Sequence, residues 1–470
     1  MSTSLPYSMK DVHYDNAKFR QKIHISVLAN KSALHPVSDG LAKNDGSKEG
    51  ESLLTHGSGS FRRFWRKPPR LPPRLSPDEI ISRNRSIQES MKREEPQWMA
   101  RQQKVKDAFI HAWSGYKAYA MGYDELMPLS HRGADGLGGL GATVIDALDT
   151  AMIMGAEEVV DEAGSWIEKH LPERIEGKGQ VNLFETTIRV LGGLLSAYHL
   201  SGGDQGRIPE HKGPKPSIYL ENARNLADRL LIAFTASPSD IPYSDVVLRE
   251  KSAHAAPDGL SSTAEVATVQ LEFNYLSYLT GDAKYSVEAM KVLQRIKTLP
   301  KAEGLVPIHI SLLKIWLRRV EIYSVTSTGL APEIAYFNIE GNSEGGPNCG
   351  NKYLNDIIIR PAGRHNLLRP ETVQSLFVLY RITGDSKYLE WSWQIFEAFE
   401  KYTKIDSGGY TSLDDVTVIP PRRRDKMETF FLGETLKYIY FLFGNSTTIP
   451  LDKYVFNTEA HPIPIISKSR

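Results

Sequence analysis

Two distant stretches of this chain carry nearly the same text. Leu279-Thr-Gly-Asp-Ala-Lys-Tyr285 and Ile382-Thr-Gly-Asp-Ser-Lys-Tyr388 agree at five of seven positions. Each ends one apolar pattern of helical period and opens another, Val287–Leu299 after the first and Trp391–Phe399 after the second. Glycine just past the last periodic residue is the usual helix stop, because it takes the left-handed conformation without steric cost. Two further helices follow the same plan. One opens at Phe184-Glu185-Thr186 and ends at Ser201-Gly-Gly-Asp204; the other opens at Gly433-Glu434-Thr435 and ends at Gly444-Asn445. The unit is a helix–turn–helix used several times, and self-similarity of this kind signals a repeat architecture. The closed form of such a repeat is an all-α toroid, a barrel of paired helices.

The helix starts carry acid. In Arg364–Asp385, Pro370 suits the first turn, where a missing N–H costs nothing. Leu376, Leu379 and Tyr380 share one face at helical spacing, and Gly384 ends the run. Glu371 then sits where the helix dipole favours a carboxylate. Glu185, Glu265 and Glu434 occupy the corresponding places in their own repeats. In a ring, equivalent first turns converge on one end of the central cavity, so these four carboxylates are expected to meet. Glu185 and Arg189 are four apart and share a helix face. Phe184, Ile188, Val190, Leu191, Leu194 and Leu195 make that helix apolar nearly all round, as in a buried helix. A buried ion pair is costly to desolvate and marks a functional site more readily than a surface pair does.

Composition closes off other classes. With 470 residues, 41% of them apolar, the chain can fill a large core. A net charge of +1 argues against nucleic acid as a partner. The single cysteine, Cys349, allows no intrachain disulfide. No apolar run is long enough for a transmembrane segment, and no signal-peptide core is visible, so the text alone reads as a soluble protein of the cytosolic side. Gly136–Gly141 fits G-x-G-x-x-G but lacks the apolar strand that a dinucleotide site needs before it. It reads instead as a lead into the helix Ala142–Met154, whose Asp146 and Asp149 are expected to be caps or satisfied polar pairs. Arg422–Arg424 reads as a solvated or ion-paired loop rather than a nucleic-acid patch. No EF-hand spacing occurs; a hard metal would have to be held by the clustered carboxylates and by oxygens of the tail Phe456–Pro462.

Residues 1–98 form an expected disordered stem. Gly, Ser, Lys and Glu crowd Ser38–Ser60, and the basic, Pro-rich Phe61–Pro77 suggests an extended polyproline segment. The folded domain is expected over 99–464, opening with Val105, Phe109, Trp113 and Tyr116 at helical spacing, and 465–470 form a tail. Within it, Leu312–Val320 reads as a helix fragment without a clear partner, Pro347–Lys352 as a loop and Asp356–Ile359 as a short strand. Acceptor sequons stand at Asn30, Asn84 and Asn445.

Four stretches carry a resemblance: Val181–Tyr198, His365–Asp385, Arg424–Tyr438 and Phe456-Asn-Thr-Glu-Ala-His-Pro462. They resemble class I α-1,2-mannosidases, glycoside hydrolase family 47, and most of all the plant endoplasmic-reticulum/Golgi type. The resemblance covers most of 99–464. It implies an (α/α)7 barrel, a Ca2+ ion, and inverting hydrolysis of α-1,2-linked mannose from high-mannose N-glycans, the trimming that serves glycoprotein quality control. It implies Glu185 as general acid, acting directly or through a water, and Glu371 as general base on the attacking water. Thr458 would bind Ca2+ through its backbone and hydroxyl oxygens. Arg189, Arg369, Phe430, Glu434 and Glu459 would shape the sugar and water sites. It also implies residence at the endoplasmic-reticulum or Golgi membrane, although no anchor is visible in this chain. The departures are specific. The family's Ser-Arg-Gly-Asp-Ser-Tyr-Tyr-Glu-Tyr and Met-Asp-His-Leu-Val-Cys-Phe motifs are absent, and segments are missing near 309–322. A catalytic Asp, an Arg, a sugar-binding His, the disulfide cysteines and part of the barrel wall go with them. The barrel is therefore expected to be incomplete. Two readings stay open: a mannosidase, and a mannose-glycan-binding pseudoenzyme that does not turn over.

Overall fold

The computed structural model describes residues 95–203, 206, 213–256, 262–298, 322–323, 326–337 and 357–466. The stem residues 1–94, the fragment Leu312–Val320, the loop Pro347–Lys352 with Cys349, and the sequons at Asn30 and Asn84 lie outside them.

The first helix, α1 (Glu95–Ala120), starts slightly earlier than the apolar spacing suggested. Val105, Phe109, Trp113 and Tyr116 are all buried, each contributing roughly 1.5–3 kcal/mol of apolar transfer energy as an upper figure. Next come a hairpin, β1 (Glu125–Met127) with β2 (Arg132–Ala134), and helices α2 (Ala142–Met154) and α3 (Glu157–Gly177). The glycine-rich lead into α2 wraps around one carboxylate. The Asp124 side chain accepts from the backbone N–H groups of Leu137, Gly139, Gly141 and Ala142 at 2.7–3.1 Å. Gly141 has φ 78°, and a Cβ there would lie 2.5 Å from the Trp166 ring. The loop is thus folded onto its own acid, and nothing in it resembles a cradle for a pyrophosphate.

Strand β3 (Gln180–Asn182) joins β4 (Asp245–Val247) and β5 (Ser252–His254) in a small antiparallel sheet. Directly after β3 runs a helix in three pieces, here α4: α-helical Leu183–Glu185, a π-helical turn Thr186–Leu191, and α-helical Gly192–Leu200. Helix α5 (Pro216–Leu230) follows, then α6 (Gln270–Thr280) and α7 (Lys284–Thr298). The repeat with Glu265 departs from expectation. Glu265 belongs to a separate single turn, Thr263–Val266, and α6 starts only at Gln270. Thr268 Oγ donates to the Ala264 carbonyl at 2.9 Å, a local bond of the kind that competes with helix continuation.

The expected edge at Asp356–Ile359 is β7 (Ile357–Ile358), paired with β6 (Tyr336–Phe337). Helices α8 (Glu371–Thr383) and α9 (Lys387–Tyr402) and the hairpin β8 (Ser412–Leu413) with β9 (Arg423–Arg424) precede the last helix, α10. That helix also has a π-helical turn, Phe431–Thr435, before α-helical Leu436–Phe443. The tail forms a hairpin of β10 (Tyr454–Phe456) and β11 (Pro462–Pro464). The Arg422–Arg424 run is ion-paired, with Arg422 and Arg424 both on Asp414 at 3.0 and 2.7 Å.

Neighbours in sequence pair, α2 with α3, α4 with α5, α6 with α7 and α8 with α9, while the last helix, α10, packs against the first, α1. One member of each pair, α2, α4, α6, α8 and α10, belongs to an inner layer, in which α6 packs on α4, α4 on α2, α2 on α10, and α10 on α8. Helices α6 and α8 do not pack closely on one another. The described helices therefore form an all-α barrel of paired helices. Among the described residues no helix is long and apolar enough to cross a membrane.

Candidate active site

Arg189 is the centre of the charged group inside the barrel. It lies in the π-helical turn of α4, one helical turn beyond Glu185, and its side chain is 12% exposed. Its Nε donates to Glu185 Oε2 at 3.0 Å, and its Nη1 donates to Thr429 Oγ at 2.8 Å and to Glu459. Asp146 Oδ2, from α2, lies 3.5 Å from Nη1. Burial works against a charge here, but Glu459, Asp146, Glu185 and Glu434 outweigh it and hold the guanidinium firmly protonated. Asn182, at the end of β3, fixes the start of α4 by accepting from the Glu185 N–H at 3.0 Å. The i, i+4 pair anticipated from spacing is thus real, and it is part of a larger group.

A second cationic group lies at the start of α8. Arg369 Nε donates to Glu333, its Nη1 lies 3.6 Å from Glu371 Oε1, and its guanidinium carbon stands 5.5 Å from the centre of the Phe430 ring. That distance is within the range of a cation–π contact. Glu333 also accepts from the Leu367 N–H at 3.1 Å, so it ties the loop before α8 to the arginine. Leu368 adopts φ 64°, and its carbonyl accepts from Thr435 Oγ at 2.7 Å. The two arginines are linked through adjacent residues, since Thr429 touches Arg189 and Phe430 faces Arg369.

The acids Glu185, Glu371, Glu434 and Glu459 differ in access. The side chain of Glu185 is 34% exposed and that of Glu371 43%. Glu434 and Glu459 are buried. Burial, with Glu371 adding repulsion and Arg189 opposing, pushes the Glu434 carboxyl up to about 8. Burial likewise raises Glu459, against the attraction of Arg189. The pair open to solvent can exchange protons with a bound molecule; the other two form a buried wall that resists ionisation.

Behind this wall sits a fully buried polar set. Asp149 Oδ1 pairs with Lys437 Nζ at 2.9 Å, and Asp149 Oδ2 accepts from Ser196 Oγ at 2.9 Å and lies 2.8 Å from His461 Nδ1. His461 Nε2 is 3.3 Å from Asp146 Oδ1. Burial would raise Asp149, but Lys437 and His461 bring it down to about 2. Burial opposes the His461 cation, yet Asp149 and Asp146 lift it to about 9. Both aspartates lie in mid-helix and do not cap; Asp149 is hydrogen-bonded and ion-paired, while Asp146 makes only the longer ion pairs to His461 and Arg189.

Sequence reading missed Lys437, His461, Asn457, Glu272 and Glu333. One signal was available: Lys437 stands in an otherwise apolar run, Leu436–Phe443, and Glu272 in the apolar α6. Glu272 is fully buried; Asn457 Nδ2 donates to its Oε1 at 2.8 Å, while its Oε2 has no partner among the described residues. Burial pushes it up to about 7. It is Glu272, on α6 itself, that reaches the tail turn. Thr458 lies exposed in that turn, between Asn457 and Glu459. Among the described residues no three His, Cys, Asp or Glu side chains form a ready metal cage.

Comparisons with known proteins agree with this architecture. Residues 108–317 and 313–465 match the profile of glycosyl hydrolase family 47 in two pieces that meet at 313–317. A mannosyl-oligosaccharide 1,2-alpha-mannosidase of Arabidopsis thaliana is 51% identical over 620 aligned positions, covering 99% of each chain. That alignment is longer than the 470 residues here, so the relative carries stretches with no counterpart in this chain. The endoplasmic reticulum mannosyl-oligosaccharide 1,2-alpha-mannosidase of Homo sapiens is 38% identical, covering 78% of this chain and 64% of its own. The solved alpha-1,2-mannosidase from Trichoderma reesei superposes with a TM-score of 0.67 over 78% of this chain and 99% of its own, and at 24% identity it speaks for the fold alone. With its paired-helix barrel and these matches, the chain belongs to glycosyl hydrolase family 47.

Proposed function

We propose that this chain hydrolyses α-1,2-linked mannose from high-mannose N-glycans on glycoproteins, with inversion and with the help of Ca2+. The observation that carries the reading is the split among the acids: of Glu185, Glu371, Glu434 and Glu459, only Glu185 and Glu371 stay open to solvent, each beside an arginine. An inverting glycosidase needs one carboxylic acid to protonate the leaving oxygen and one carboxylate to activate a water on the opposite face of the sugar. In this reading Glu185 is the acid, directly or through a water, and Glu371 is the base. Arg189 orients Glu185 and Glu459; Arg369, clamped by Glu333, orients Glu371. Phe430 offers an apolar face to the sugar ring, and Glu434 and Glu459 accept or donate hydrogen bonds to its hydroxyls.

The residues present suit a hard cation. The exposed donors at the turn are the oxygens of Thr458, and burial, more than repulsion, keeps Glu434 and Glu459 from ionising without further positive charge. Thr458 would hold Ca2+ through its backbone and hydroxyl oxygens. When bound, the ion supplies positive charge that orients the water and the sugar hydroxyls. A secretory-route location at the endoplasmic reticulum or Golgi fits the human relative's name, and the sequon residue Asn445 is exposed.

The departure from the family's motifs between the two halves of the chain favours a second reading. The family's Asp-bearing motif would fall in this part of the chain and is missing, so a glycan-binding protein that does not turn over is the alternative. Incubation with a high-mannose N-glycan, with and without a chelator, separates the two. Chelator-sensitive release of mannose with inverted configuration supports the enzyme. Binding without release supports the alternative, and chelator-insensitive release refutes the role of Ca2+.

A further inference from the structure

Lys437 is a wholly buried lysine that no step of the proposed chemistry uses. Its Nζ pairs with Asp149 at 2.9 Å and also donates to the Ala460 carbonyl at 2.9 Å. Ala460 closes the tail turn in a left-handed conformation, φ 59°, which an alanine adopts only when its surroundings impose it. The start of the same turn is gripped by Asn457. Its Oδ1 accepts from the N–H groups of Glu459 at 3.0 Å and His461 at 2.8 Å, while its Nδ2 donates to the Ile188 carbonyl and to Glu272, each at 2.8 Å. Gly192 makes room for this amide, since a Cβ there would lie 2.5 Å from Asn457 Nδ2. Thr458 and Glu459 are the two residues between the grips.

We propose that Lys437 is a positioning residue for the Thr458–Glu459 turn: by holding the Ala460 carbonyl it fixes the Thr458 oxygens and sets Glu459 against Arg189. The proposal rests on the reading of Thr458 and Glu459 as site groups. The plainer role is neutralisation of Asp149, since a buried charge needs a partner. The two roles separate when Asp149 is neutral as well. A lysine that only neutralises is then dispensable; one that holds the turn is not.

The test is the double variant Lys437→Met/Asp149→Asn of the full chain, with Lys437→Gln/Asp149→Asn as a second form that keeps a shorter, uncharged side chain of polar character at the first position. Hydrogen exchange reports local opening of the turn, and terbium luminescence reports cation binding, with Thr458→Ala as the reference for a lost site. Relative to the Asp149→Asn single variant, which already loses the contact to His461, the expected result is a cooperative melt, exchange in 457–461 at least tenfold faster with α1 unchanged, and terbium affinity at least tenfold weaker. Unchanged exchange and affinity in a folded variant overturn the proposal. So does failure of both variants to fold, which would assign Lys437 to the core as a whole. If the unaltered protein binds no terbium but the turn still loosens in the variant, the metal reading fails and the positioning role stands.

Discussion

Glu434→Gln isolates the electrostatic cost of the buried wall. The Glu434 carboxyl is raised from 4.5 to about 8, by burial first, with Glu371 adding and Arg189 subtracting. Each tenfold change in proton affinity is worth about 1.4 kcal/mol, so this rise corresponds to on the order of 5 kcal/mol. The folded state binds this proton more tightly than the unfolded chain does. Its stabilising effect is therefore full below the unfolded value of about 4.5 and is lost as pH climbs toward about 8. Glutamine mimics the protonated form and cannot ionise. Urea unfolding in the presence of a chelator, at steps from pH 5 to 9, should show the variant gaining on the natural protein by up to about 1.4 kcal/mol per pH unit. Above pH 8 the gap should level off. If the two stability profiles stay parallel within about 1 kcal/mol across this range, the wall is wetter than its burial indicates and the reasoning fails.

Arg189→Met leaves Glu459 and Asp146 buried without their shared cation, and loss of one partner of a buried pair costs about 3–5 kcal/mol; chemical denaturation at pH 7 measures it. Glu371→Gln is expected to lower kcat roughly 10²–10⁴-fold while mannose-glycan binding, followed calorimetrically, persists. Saturating Ca2+ should raise the thermal midpoint of the unaltered chain, by about 2.7 kcal/mol of stability at a hundredfold excess over Kd, and Thr458→Ala should abolish that gain. Glu333→Gln weakens the clamp on Arg369 and should raise KM more than it lowers kcat in a mannose-release assay.

The helices were legible in the text because their signals are local. Apolar spacing places Val105 through Tyr116 on one buried face, and Gly281 and Gly384 stop α6 and α8 with φ 69° and 70°. The Glu185–Arg189 pair was legible for the same reason, as residues four apart on a helix share a face. The rest depends on contacts through space. Nothing near Asp149 in sequence announces His461 or Lys437, which reach it from α10 and the tail. The Thr263–Val266 turn was hidden because its residues and those of α6 are all compatible with one helix, and only the local bond of Thr268 marks the interruption. Glu371 and Glu434 were grouped by repeat position, and their electrostatic influence on one another agrees with that grouping.

Both α4 and α10 hold an acid at a π-helical turn: Glu185 just before Thr186–Leu191, and Glu434 within Phe431–Thr435. Such a turn amounts to one residue more than a regular helix would contain. Deleting a single residue there would let the ordinary hydrogen-bond ladder close, and the helix itself would become more regular. It would also turn everything on one side by about 100° relative to the other, swinging Glu185 away from the wall that Glu434 and Glu459 form. The chain therefore carries, in each of these two helices, a length that local regularity disfavours and site geometry requires. A shortened variant that melts higher and has lost its glycan would be the signature of that conflict.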